Sequence, residues 1–218
     1  MSGSVLLASS LLLALFFGSI YREKRQAYLW AWSFAWILIS ISFVLPLIGR
    51  VSFSATAPLP EPGSAALNVI AMRDWFLLLA SLAFVAAARL YASQTRWTLR
   101  LVIVGAGSAV WALAYSKGWV ILPVTIGAGV MLLLVARTFL HGGQKQDSRS
   151  DFLLAVAFAA WGFLVLLAAI QPATPSLNGI HLQSFAIVPL FFAGVVMVLG
   201  VYEEQRRSVE RNMLALSS

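Results

Sequence analysis

The sequence predicts an all-α polytopic membrane protein: seven transmembrane helices, with the N-terminus outside and the C-terminus in the cytoplasm. Three observations carry this expectation. The 218 residues are 61% hydrophobic and 11% charged, with a mean hydropathy of +0.88, whereas soluble domains are about half apolar and a quarter charged. The apolar residues fall into runs of about 20, the length that crosses a bilayer as a helix. The basic residues concentrate on alternate connections.

The runs cover residues 4–20, 28–48, 66–88, 99–115, 119–140, 152–170 and 182–201. The first is followed by Tyr21-Arg22-Glu23-Lys24-Arg25. A secretory signal carries its basic cluster before the apolar stretch, so this run reads as an uncleaved first helix. Trp30 and Trp32 near the start of the second run, Trp97 before the fourth and Trp119 at the start of the fifth suit interface anchors. Trp36, Trp111 and Trp161 lie deeper, where they either pack or line a pocket. The fourth run is short and rich in small residues, with Gly105, Gly107 and Ser108, and turns into the fifth through Ser116-Lys117-Gly118. Gly105-Ala106-Gly107 and Gly127-Ala128-Gly129 fit close helix packing. The connection 51–64 contains Pro58, Pro60 and Pro62 and is the one sizeable outer loop.

Orientation follows from the charges. Arg22, Lys24, Arg25, Arg89, Arg96, Arg100, Arg137, Lys145, Arg149, Arg206, Arg207 and Arg211 fall on one side, and Arg50 and Lys117 on the other. Basic residues stay on the cytoplasmic side, and an odd number of crossings reconciles the two termini. The net charge of +7 therefore reports topology and not nucleic acid as a partner.

Arg73-Asp74 in the third run is the one ionisable pair inside a predicted span. Charges there are costly unless paired or hydrated, and mark candidate sites. Arg73 precedes Arg89 by 16 residues, about 24 Å of helix, so the pair is expected near the outer surface. Neighbouring helix positions point about 100° apart, so the two need not pair with each other and are free to seek partners on neighbouring helices; in a ligand site Arg73 would meet a small anionic or polar group, with Asp74 orienting it. Asn68, Gln171, Asn178, His181, Gln183 and Ser184 fall at the same level. Two readings stand side by side: a polar ligand-binding pocket lined by Arg73, Asp74, Gln171, His181 and Gln183, or interfacial charges snorkelling to headgroups.

Other chemistries are set aside. With no cysteine there is no disulfide or thiolate site. His141 and His181 fall on opposite faces, so a haem or metal pair would have to bridge the bilayer. Lys24, Lys117 and Lys145 all lie in connections, which excludes an intramembrane Schiff base. No HExxH, GxSxG or P-loop is present. No cofactor and no enzymatic activity are expected of this chain.

After Gly200 the sequence runs without Gly or Pro through a charged, helix-forming stretch. Tyr202, Val209 and Leu216 recur every seven residues, with Met213 in the intervening position and Arg206 interrupting it. This fits a dimeric coiled coil, or a plain basic helix near the membrane. The expected division is therefore a transmembrane domain at 1–202 and the start of a cytoplasmic signalling helix at 203–218, unfinished at Ser218.

Three stretches carry a resemblance: Tyr21-Arg22-Glu23-Lys24-Arg25-Gln26-Ala27-Tyr28-Leu29-Trp30-Ala31-Trp32-Ser33-Phe34-Ala35-Trp36, Met72-Arg73-Asp74-Trp75-Phe76-Leu77-Leu78-Leu79, and Val201-Tyr202-Glu203-Glu204-Gln205-Arg206-Arg207-Ser208-Val209-Glu210-Arg211-Asn212-Met213-Leu214-Ala215-Leu216-Ser217. The chain resembles the N-terminal multi-helix membrane sensor regions of bacterial sensor histidine kinases and related signalling proteins. The resemblance implies a location in the bacterial inner membrane, a homodimer whose exit helices pair, and a kinase-type output module beyond Ser218. It assigns no ligand. A small transporter or permease, or a membrane anchor subunit, is the alternative expectation.

Overall fold

The structure, a computed structural model, describes residues 2–48, 61, 64–93, 105, 107–108, 122–146, 149–170 and 187–216. Its regular elements are helices α1 (Ser2–Lys24), α2 (Ala27–Ile48), α3 (Ala65–Ser93), α4 (Leu122–Gln146), α5 (Arg149–Ile170) and α6 (Ile187–Leu216). The all-α expectation holds, but the described residues form six helices and not seven. Of the run at 99–115, only Gly105, Gly107 and Ser108 are described, all helical.

Among the described residues, three helical stretches are long and apolar enough to cross a membrane: Ala27–Leu45, Ala65–Ala92 and Arg149–Leu167. Among the described residues, α4 and α6 offer only shorter apolar lengths, Ile126–His141 and Phe191–Glu203. The reason in α6 is direct, because charged residues begin at Glu203. Its helix nevertheless continues for 30 residues to Leu216 without a break.

The caps follow from local chemistry. Arg25 ends α1 with φ of 56°, and its N–H donates to Tyr21 O at 2.8 Å, a left-handed cap with a 5→1 bond. Residue 26 then opens α2, where Leu29 N–H donates to Gln26 O at 3.1 Å. A non-glycine residue is strained in this conformation. Arg25→Gly is therefore expected to raise stability by about 0.5–1 kcal/mol, read as a higher thermal unfolding midpoint in detergent. Ser64 caps α3, its Oγ accepting from Leu67 N–H at 3.2 Å.

Helices adjacent in sequence pack on one another from α1 through α6, and α6 meets α1 in a small patch. Helices in a bilayer gain little from mutual hydrophobic burial, so close approach and side-chain hydrogen bonds carry the packing. Gly129 and Gly162 form the α4–α5 crossing. A Cβ on Gly162 would lie 2.9 Å from Gly129 O, and one on Gly129 would lie 2.6 Å from Leu166 Cγ. A Cβ on Gly194 would collide with Leu13, which explains how α6 reaches α1. Between α1 and α2, Ser33 Oγ donates to Ala14 O at 2.8 Å, and Ser40 Oγ lies 2.8 Å from Ser10 Oγ.

An aromatic network fills the interior. Phe84 of α3 stands edge-to-face against Trp36 of α2 and against Phe158 and Trp161 of α5, with centroids 5.4, 5.2 and 5.9 Å away. Tyr91 stacks on Trp32, tilts against Phe139 and meets Tyr28 edge-on. Trp36 and Trp161 are thus packed core residues. Trp32, expected as an interface anchor, is 2% exposed, whereas Trp30 is 54% exposed and fits that role. Two positions along one helix turn by about 200°, so only one of the pair can face outward. The buried Nε1 atoms of Trp32 and Trp36 have no hydrogen-bond partner among the described residues.

Candidate functional site

Two polar clusters sit at opposite ends of α3. The first is built on Arg73 and Asp74, about 12 Å along the helix from Ala65. Of the arrangements the sequence left open, the two residues pair with each other. Arg73 Nε and Nη2 both approach Asp74 Oδ1, at 2.8 and 2.6 Å. The long arginine side chain spans the angular offset that the backbone imposes. The Asp74 side chain is 11% accessible and that of Arg73 22%, so both are largely sheltered and the arginine is the more accessible of the two.

Next to this pair, Trp75 Nε1 donates to Ser108 Oγ at 3.1 Å, and Ser108 Oγ donates to Gly105 O at 2.7 Å. A Cβ on Gly105 would make ordinary contact with Leu79 at 3.6 Å. Trp75 and Leu79, one turn apart, therefore hold Ser108 and Gly105 against α3. Asn68 is exposed, on a different face from buried Asp74, and does not join the pair. Gln171, His181 and Gln183, together with Asn178 and Ser184, lie outside the described residues. A partly accessible arginine side chain oriented by a carboxylate suits recognition of a small anionic or polar group.

The second cluster lies at the other end of α3, around Tyr91. Asp151, in the first turn of α5, accepts from Tyr91 Oη of α3 at 3.3 Å, and Asp151 is 2% exposed. Its neighbour Ser150 donates from Oγ to Glu203 Oε2 of α6 at 2.9 Å. A carboxylate in the first turn also opposes the positive end of the helix dipole. Through two adjacent residues, α5 is tied to both α3 and the exit helix. Sequence reading missed this cluster, because its predicted helix began at residue 152 and left Ser150 and Asp151 in a connection. The available signal was an acid directly before an apolar run, which is a helix-start mark.

Tyr202, Val209 and Met213 are exposed, and Leu216 is the last residue of α6. Arg206, which interrupts the seam, forms an ion pair with Glu210 one turn on, at 2.9 Å. Phe192, Val195 and Leu199 are exposed as well. With Tyr202, Arg206, Val209 and Met213 they follow alternating steps of three and four along one face, the spacing of a left-handed helix pair.

Among the described residues, no three His, Asp or Glu side chains gather as a metal site. In comparison with known proteins, the chain matches no family model, no curated protein and no solved structure.

Proposed function

We propose that the chain is a membrane sensory domain, resembling the membrane input regions of bacterial sensor kinases, that passes a stimulus through α6 to a cytoplasmic kinase-type module. The proposal includes seven crossings, an outer N-terminus, a bacterial inner-membrane location and pairing of two copies through α6. One observation carries it. The 30 residues of α6 form one unbroken helix from the apolar segment into the charged tail, with exposed apolar residues at three-four spacing along its length.

The outer input site is Arg73, with Asp74 holding its guanidinium in place; Gln171, His181 and Gln183 are the further lining residues in this reading. A ligand acts only through unequal affinity for two arrangements of the bundle. Movement of α5 reaches α6 through Ser150 and Glu203, at the point where the apolar stretch of α6 ends. A rotation or tilt there is carried onward by a continuous helix.

The test uses single cysteines in a chain that has none. In native membranes, substitutions at Tyr202, Val209 and Leu216 are expected to form disulfide-linked dimers strongly, and a substitution at Ser208 weakly. Uniform crosslinking, or none, would overturn the paired exit helix. A native protein of 23.6 kDa with no attached output module would overturn the receptor reading itself and direct attention to substrate flux in liposomes.

A further inference from the structure

The α4–α5 hairpin carries a basic patch that neither cluster uses. Arg137 and His141 on α4, and Arg149 on α5, are all exposed. On α4 the exposed positions 126, 130, 133, 134, 137, 140 and 141 form one arc, with Arg137 near its middle. On α5 the exposed positions 149, 152, 153, 156, 160 and 163 form another, which includes Arg149. Both arcs face away from the bundle interior.

The register between the two helices comes from their closest contact, Gly129 against Gly162. Counting outward along antiparallel helices from that contact places Arg149 level with residue 142, beside His141. Arg137 lies one turn deeper, about 6 Å. The segment 137–151 contains Arg137, Lys145 and Arg149 against Asp147 and Asp151, and Asp151 is buried against Tyr91. Deeper on the same arcs are exposed Leu133, Val156 and Phe163. The surface is therefore cationic at its end and apolar toward its middle.

We infer that this face binds an anionic phospholipid. Arg137 and Arg149 receive the phosphate from two depths, His141 donates a ring N–H, and an acyl chain lies along Leu133 and Phe163. Arginine suits the phosphate because its planar fork donates two parallel hydrogen bonds. Its long stem also lets the charge of Arg137 reach the headgroup level from within the apolar band. Bound lipid would span α4 and α5 next to the Ser150–Glu203 contact, so lipid composition would bear on the position of α6.

The inference rests on the membrane-spanning reading, and one experiment separates the two. The full chain is reconstituted into nanodiscs containing equal amounts of phosphatidylglycerol and phosphatidylcholine, and the lipid retained on release is measured by native mass spectrometry. Wild type is expected to retain phosphatidylglycerol several-fold over phosphatidylcholine, and R137Q/R149Q to lose that preference. R22Q/K24Q, in the last turn of α1, is expected to keep it. Equal preference in wild type and R137Q/R149Q overturns the site, as does equal loss in R22Q/K24Q, which would report diffuse surface charge. Displacement of the lipid by inorganic phosphate overturns it in favour of a free-anion site. If the double variant does not fold, the single variants R137Q and R149Q are each expected to reduce the preference, and no reduction in either overturns the proposal. Failure of the wild type to insert into the bilayer overturns the membrane reading and the site with it.

Discussion

Replacing Phe84 by alanine is expected to lower the stability of the bundle by about 3–5 kcal/mol, seen as a thermal midpoint lower by roughly 10 °C in detergent. Phe84 is completely buried and joins α2, α3 and α5 through edge contacts to Trp36, Phe158 and Trp161. Its removal leaves a void among large rigid rings, which relax poorly into it. The loss comes from dispersion contacts more than from hydration, so it persists in a micelle or bilayer. Phe163→Ala is the control, because Phe163 is 58% exposed and its truncation opens no internal cavity. Equal losses in the two variants would refute the central role of the ring network.

The second large effect is expected at Asp74. Asp74→Leu takes away the carboxylate oxygen on which two arginine nitrogens converge and leaves the Arg73 charge in a largely sheltered place. Breaking a fully buried pair costs about 3–5 kcal/mol; with a fifth of the arginine side chain accessible, about 2 kcal/mol is expected. Asp74→Asn keeps an acceptor and should lose less. The double variant Arg73→Leu, Asp74→Leu should recover most of the loss, since apolar replacement of a buried pair is often neutral. This double-mutant cycle also tests function. Recovery of stability with continued loss of the stimulus response would assign the pair to ligand recognition. Recovery of both would assign it to structure alone.

The helices were legible in the sequence because span length and charge placement are one-dimensional properties. The run at 28–48 matches Ala27–Ile48, and that at 66–88 lies within Ala65–Ser93. The continuation of α6 followed from helix-forming residues with no breaker after Gly200. The extension of α5 back to Arg149 was not legible, because Ser150 and Asp151 look like loop residues until Glu203 and Tyr91 are brought beside them.

Side-chain pairing was the other limit. Backbone angles left it open whether Arg73 and Asp74 pair, because a flexible side chain of arginine's length is free to fold back on its neighbour. Trp32 and Trp36 could be placed at a depth but not on a face, and both proved to be core residues.

What the sequence determined by itself was an all-helical chain of membrane-protein composition and the residues at which its helices begin to carry charge. These depend on local hydrophobicity and helix propensity, which act residue by residue. Tertiary structure alone decided that Phe84 sits at the centre of the ring network, that Gly129 meets Gly162, and that Ser150 holds Glu203. Each of those joins residues at least 33 positions apart, and no one-dimensional pattern records which helix faces meet.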